Sequence, residues 1–256
     1  LGKINFEILS KSLRSSYGMI LLTGPTGSGK STTLYACLNE LKSVERKIIS
    51  VEDPIEYKIP LVQQIVLNTK AGVEFNNVLR AILRQDPDII MIGEIRDEES
   101  LDIALKASLT GHLLLSTLHT NNAISAIDRL IDMKAKPYLI ASAINLIIAQ
   151  RLVRKLCPKC KQKSEKYNNE FEGNFFEAKG CEYCNYSGFL GRELIIECLR
   201  VDKEISSAIR ENQNKNVILE LAKTKGFKTM FEQGLEKARD GVITIDELLR
   251  VVNETL

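Results

Sequence analysis

Three things are scarce in this 256-residue chain. Charge of one sign is the first. The 35 Lys and Arg nearly balance 33 Asp and Glu, leaving a formal net charge of +2. That balance gives no electrostatic argument for a nucleic-acid partner. Long apolar runs are the second. The best candidate, residues 138–149, is a dozen residues long and includes Ser142 and Asn145. A membrane-spanning helix needs ~20, so this stretch reads as an amphipathic helix packed on a core. Histidine is the third, with only His112 and His119. No secretory signal, internal repeat or low-complexity tract is visible, which sets aside an exported small domain and a repeat array. What remains is 44% hydrophobic and 27% charged. That is ordinary globular composition, enough for one large core or two smaller ones.

The most informative stretch is Gly24-Pro25-Thr26-Gly27-Ser28-Gly29-Lys30-Ser31, followed by Thr32. It fits G-x-x-x-x-G-K-S, the phosphate-cradling loop of nucleoside triphosphatases. An apolar run, 17–23, precedes it as a buried strand, and a helical pattern, 31–41, follows. The glycines let backbone N–H groups turn toward a polyphosphate, and the helix adds its positive end. Lys30 is expected to reach the β- and γ-phosphates, and Ser31 to give its hydroxyl to Mg²⁺. ATP and Mg²⁺ are therefore the expected ligands. With no export signal, such a protein is expected to be cytoplasmic.

Strands and helices then alternate. Residues 47–51, 62–67, 88–92 and 112–117 read as strands, and 74–84 and 97–109 as helices. The alternation implies a mostly parallel sheet covered on both faces. From 151 the chain turns basic, aromatic and cysteine-containing, and from 201 it reads as helical. Asp202 and Thr244 are expected helix N-caps, with Glu247 completing a capping box at Thr244. The expected organisation is 1–16, a remnant or linker of a preceding domain; 17–150, the nucleotide core; 151–191, a cysteine segment; and 192–256, a helical region. The chain opens at Leu1 and reaches its first core strand at once, which reads as a piece of a longer protein.

Hydrolysis of a γ-phosphate needs carboxylates to orient water and hold Mg²⁺. Three stretches end strands with suitable groups: Glu52-Asp53-Pro54-Ile55-Glu56, the run 88–97 that delivers Glu94, and Ser116-Thr117-Leu118-His119-Thr120. Glu94 follows buried-strand residues and should emerge at the carboxyl edge, where the glycine loop also lies. For His119 a structural role and a functional one both stand. His112 and Asp88 begin strands on the opposite edge and read as structural.

Cys157-x₂-Cys160 and Cys181-x₂-Cys184 have the spacing of a Cys₄ zinc site. Four thiolates leave no open coordination position, so the expected role of Zn²⁺ is structural. Arg154, Lys155, Lys159 and Lys161 are expected to offset its negative charge. Cys37 and Cys198 read as buried hydrophobes.

GPTGSGKSTTLYA (24–36), VEDPIEY (51–57), LRQDPDIIMIGEIRDEES (83–100), TGHLLLSTLHTNNA (110–123), the four cysteines, Gly191-Arg192 and GVITIDELLRVV (241–252) occur in one order along nearly the whole chain. In these stretches the chain resembles the secretion ATPases of type II secretion and type IV pilus assembly. The resemblance implies a RecA-like P-loop core with a small Cys₄ insert and a helical C-terminal region. It implies Glu56 near Mg²⁺ or the water, Glu94 as general base and His119 sensing the γ-phosphate. Arg84 and Arg96 lie in the motifs with their partners open. Ser31 stands where the family often has Thr, and Asn122 where Asp is usual. The resemblance further implies a homohexameric motor, peripheral to the inner membrane through platform and docking proteins, with no direct nucleic-acid partner. A preceding domain would supply arginines to a neighbour's site. The tetracysteine insert implies assembly rather than retraction. A DNA translocase or recombination ATPase, or a nucleotide-switch docking module with a structural zinc, is the alternative.

Overall fold

The computed structural model describes residues 2–68, 73–167 and 170–252; Leu1, at which the chain was read as opening, lies outside them. Helix α1 (Lys3–Leu13) leads into β1 (Gly18–Thr23), whose six residues are all buried. Burial on both faces explains its continuous apolar run. Met19, Ile20, Leu21 and Leu22 have no exposed surface, and each contributes on the order of 1.5–3 kcal/mol by leaving water. Next comes α2 (Lys30–Leu41), which buries Leu34, Tyr35, Cys37, Leu38 and Leu41 on one helical stripe. Strands β2 (Ile48–Glu52) and β3 (Val62–Val66) precede α3 (Phe75–Leu83). Then follow β4 (Ile89–Ile92), α4 (Glu98–Leu109), β5 (Leu113–Leu118) and α5 (Ala123–Asp132).

The helix starts are locally encoded. The Asp97 carboxylate accepts from Ser100 N–H while the Ser100 hydroxyl faces Asp97 N–H, a reciprocal cap for α4. Asn122 caps α5 through Ser125 N–H at 2.7 Å. With β6 (Ile144–Leu156) and β9 (Phe189–Arg200), the sheet order is β3-β2-β4-β5-β1-β6-β9. The parallel pairs are β1–β5, β1–β6, β2–β3, β2–β4 and β4–β5. The carboxyl ends of β4, β5 and β1 are therefore neighbours.

Contrary to the expectation from sequence, residues 138–149 do not form a single helix. Helix α6 (Pro137–Ala143) ends at Ile144, and β6 (Ile144–Leu156) begins there. The parallel register Ile20 to Leu146 and Leu22 to Ile148 gives the open side of β1 its partner. The pairing satisfies main-chain groups of β1 that a packed helix would leave unbonded.

The remaining elements are β7 (Lys161–Ser164), β8 (Phe175–Ala178), β9 (Phe189–Arg200), α7 (Lys203–Arg210), α8 (Lys215–Thr224), α9 (Met230–Arg239) and α10 (Ile245–Val251). A one-turn 3-10 helix, Glu182–Cys184, lies before β9. The chain divides into two compact units. Leu1–Ala149 with Cys198–Phe227 form one, and Gln150–Glu197 with Lys228–Leu256 the other. In the first, the Ser206 hydroxyl donates to Ala141 O at 2.8 Å, and Val201 N–H to Asn145 O at 3.0 Å. In the second, β7 and β8 pair antiparallel. Among the described residues, no helix is long and apolar enough to cross a membrane.

Asp202 caps α7 as expected, accepting from Glu204 and Ile205 N–H. Thr244 makes only half of its expected box. Its hydroxyl accepts from Glu247 N–H at 3.1 Å. The Glu247 carboxylate turns instead to Arg154 and Arg250. Two guanidinium groups outcompete one backbone N–H for a carboxylate.

Candidate functional site

The glycine loop leaves β1 with φ of 146° at Gly24, 77° at Gly27 and 88° at Gly29. At Gly27 a side chain would meet nothing within 4 Å. The left-handed backbone, and not crowding, requires glycine there. The open side is a cradle of the kind polyphosphates fill. Ser28 N–H closes the turn on Pro25 O at 3.3 Å. Lys30 folds back, its Nζ donating to Gly24 O at 2.8 Å and Pro25 O at 3.0 Å. Its charge thus sits against the loop on weak neutral acceptors. Pro25, Thr26, Ser31 and Thr32 are exposed. The residues present fit a nucleotide with its magnesium ion.

Two predicted residues are brought into contact. His119 Nε2 lies 2.9 Å from Glu94 Oε1. Arg96 Nε donates to Glu94 Oε2, also at 2.9 Å, and Arg96 Nη1 stands 3.9 Å from Asp53 Oδ2. Asp53, Arg96, Glu94 and His119 form a row of alternating character along the carboxyl edge. The hydrogen bond to Glu94 raises the Arg96 pKa further, with Asp53 adding to it.

The backbone around this row is pinned from the neighbouring strand. The Thr117 hydroxyl donates to Gly93 O at 2.7 Å, and Ile95 N–H donates to Thr117 O at 3.1 Å. Glu94 is held between these bonds. The Thr23 hydroxyl accepts from Thr120 N–H at 2.8 Å and lies 2.7 Å from the Thr120 hydroxyl. That contact ties the strand before the glycine loop to the segment carrying His119.

The acidic stretch 52–56 divides into two environments. Glu52 is 5% exposed. It accepts from Ser50 Oγ at 2.6 Å, from Gln64 Nε2 at 3.0 Å and from the Tyr35 hydroxyl. Glu56 is exposed, and its carboxylate has no bonded partner among the described residues. The carboxylate of Glu56 is not joined to Glu94 or Lys30. Sequence reasoning missed Tyr35, Ser50, Gln64 and Thr117, and left Arg96 without a partner. The one available signal was the placement of Ser50 and Glu52 two residues apart on a strand.

The four cysteines converge in the second unit, all Sγ atoms within 4.8 Å of one another. Cys157 to Cys181 is 4.0 Å, while Cys160 to Cys184 and Cys181 to Cys184 are both 3.8 Å. A tetrahedral zinc with Zn–S of about 2.3 Å sets S···S at about 3.8 Å. A disulfide would need about 2.05 Å. The donor set therefore fits zinc. Burial alone would raise the Cys184 thiol, but Cys181 and Gly188 N–H groups donating to it pull it down to about 6. A Cβ at Gly180 would sit 2.6 Å from Tyr186 O, so only glycine closes this knuckle.

Two of the four cations expected to offset the thiolates are engaged elsewhere. Arg154 bonds Glu247 and lies 4.1 Å over the Phe189 ring. Lys161 donates to Gly241 O at 2.7 Å and lies over Phe176. Cys37 is buried and pushed up to about 12 by that burial, the state of an inert hydrophobe.

The sequence model of the family described as type II/IV secretion system protein matches residues 3–250. The chain is 46% identical to the type II secretion system protein E of Dickeya dadantii, over 98% of this chain and 51% of that protein. It is 43% identical to the type IV pilus assembly ATPase PilB of Thermus thermophilus, over 95% of this chain and 29% of that protein. Among solved structures, the pilus retraction motor PilT with bound ADP superposes with a TM-score of 0.74 at 28% identity. That superposition covers 99% of this chain and 65% of PilT. The chain spans about half the length, or less, of the curated relatives it matches.

Proposed function

We propose that this chain, which belongs to the type II/IV secretion system protein family, is the ATP-hydrolysing part of a motor subunit. The motor powers pilin or pseudopilin assembly in a type II secretion or type IV pilus system. The observation that carries the reading is the Glu94–His119 contact, 2.9 Å long, at the carboxyl ends of strands neighbouring the glycine loop.

Each residue has a chemical task in this reading. Backbone N–H groups of Gly27, Gly29 and Lys30 hold the phosphates, with the N-terminus of α2 behind them. The Lys30 ammonium leaves the carbonyls of Gly24 and Pro25 for the more strongly charged β- and γ-phosphates. The hydroxyls of Ser31 and Thr32, on the exposed first turn of α2, face the metal side. Mg²⁺, when bound, neutralises phosphate charge and polarises the γ-phosphoryl group. Glu94 takes the proton of the attacking water. The His119 Nε2–H holds one carboxylate oxygen and Arg96 the other, so the base is oriented before substrate arrives. Glu56 acts on the magnesium side or on the water.

The cysteine cluster holds one structural Zn²⁺ that closes the knuckle. The assembly direction rests on that cluster and on the likeness to a pilus assembly ATPase. The whole protein works as a hexamer at the cytoplasmic face of the inner membrane, docked through platform and docking proteins. Glu94→Gln in the intact protein tests the reading: it should bind ATP as the wild type does and lose turnover by about 10²-fold or more, the scale of a lost general base. Equal hydrolysis rates would remove Glu94 from the reaction.

A further inference from the structure

The glycine-loop helix and the acidic stretch belong to different strand–helix units, and the sequence offers no link between them. One buried hydroxyl joins them. Tyr35, on α2, is 1% exposed. Its O–H donates to Glu52 Oε2, and its oxygen accepts from Glu56 N–H at 2.9 Å. The ring meets the Tyr57 ring edge-on, with centroids 4.3 Å apart. Gln64, on β3, grips the same stretch from the other side. Its Nε2 donates to Glu52 Oε1 at 3.0 Å and to Tyr57 O at 3.2 Å, and its Oε1 accepts from Ile59 N–H at 2.8 Å. Residues 56–59 are thus fastened at three main-chain points, and all three run back to the Glu52 carboxylate.

We propose that Tyr35 is a positioning residue, whose hydroxyl couples the nucleotide-loop helix to the segment that presents Glu56. A phenol carries one donor and offers an acceptor lone pair. With the proton committed to Glu52, the lone pair is directed at Glu56 N–H. Movement of α2 at the phosphates therefore changes where the Glu56 backbone stands. Burial, and then the bond to Glu52, push the Tyr35 hydroxyl up to about 12, so it keeps its proton throughout the physiological range. A carboxylate buried to 5% exposure must have its lone pairs filled, which makes the three donors onto Glu52 costly to remove. Loosening Tyr35 or Gln64 frees a segment whose own carboxylate has no bonded partner among the described residues. The inference rests on the hydrolase reading above only where it assigns Glu56 a task.

The test is Tyr35→Phe, which removes the hydroxyl and keeps the ring, in the intact protein. Turnover should fall at least tenfold with the KM for ATP within about twofold, because misplacement of a group by ~1 Å can cost up to 10² in rate. Tyr35→Phe combined with Glu56→Gln should be no slower than Glu56→Gln alone, since both act through one group. Multiplying losses, or a raised KM with kcat kept, would overturn the proposal. Amide hydrogen exchange gives a readout independent of turnover. Residues 56–59 should exchange at least tenfold faster in Tyr35→Phe while β1 and β4 keep their protection. Unchanged exchange there would also overturn it. Should the wild type itself not hydrolyse ATP, the hydrolase reading fails and the exchange experiment alone decides the coupling. Gln64→Leu, on the far side of the same carboxylate, should loosen 56–59 in the same way if Tyr35→Phe does not fold.

Discussion

Glu247 in α10 carries a prediction whose size follows from its surroundings. Its side chain is 2% exposed, and it takes five donors. Oε1 accepts from Arg154 Nε at 3.0 Å, Arg154 Nη2 at 2.6 Å and Arg250 Nε at 3.1 Å. Oε2 accepts from Arg154 N–H at 2.9 Å and Arg250 Nη2 at 2.8 Å. Burial by itself would raise this carboxyl, but Arg154 first and Arg250 next hold it down from 4.5 to about 2. A depressed folded value means the unfolded chain binds the proton more tightly. The stabilisation is therefore fully present above about pH 4.5 and is lost as pH falls through about 2. A shift of this size corresponds to about 3 kcal/mol by linkage, which half-exposed arginines and solvent screening reduce to about 2. In Glu247→Gln the amide NH₂ must face an arginine donor whichever way it turns. The variant should lose about 2 kcal/mol at pH 7, read as faster amide exchange in α10 and β6 or a lower urea midpoint. The gap between variant and wild type should close as pH falls from 4.5 towards 2. A gap that is absent at pH 7, or that stays constant down to pH 2, would show that the two arginines are not what stabilises this helix.

Three further outcomes are expected. Lys30→Ala should lower steady-state ATP hydrolysis by about 10²-fold or more, as loss of a charged phosphate contact does; a rate near wild type would take Lys30 out of the site. Metal-replete protein should carry about one zinc per chain by elemental analysis. Chelation or Cys181→Ser should raise exchange in 157–188 before it does in β1, and the opposite order would show that the cluster supports more than its own knuckle.

What could be read from the sequence was whatever a single stretch of chain encodes. The glycine loop announces itself because backbone dihedrals demand glycine at Gly24, Gly27 and Gly29, whatever the rest of the fold does. The cysteine spacing works the same way, since two short loops each supply two ligands. Glu94 and His119 could be placed at the carboxyl edge because each follows its own buried strand. That they touch could not be read. It depends on β4 and β5 being neighbours with Ile92 opposite Ser116, which the order of strands along the chain does not specify. Residues 144–149 depart from the helix expected of them for a related reason. A short apolar run suits a buried helix or a buried strand equally, and the need of β1 for a second partner decided it.

The same distinction separates the two glutamates of the acidic stretch. Seen along the chain, Glu52 and Glu56 are four residues apart and chemically alike. Glu52 is the last residue of β2, where alternation puts it on the same face as Ser50, and the Ser50 hydroxyl bonds it at 2.6 Å. That face is covered by Tyr35 from α2 and flanked by Gln64 from β3, so a charge is accepted there only because three donors converge on it. Glu56 lies beyond the strand and stays exposed, its carboxylate bonded to none of the described residues. One carboxylate is thus committed to holding a loop and the other is left available for chemistry. The commitment is made by residues 17 positions before Glu52 and 12 after it, which is why a motif that names both acids does not say which of them can reach a ligand.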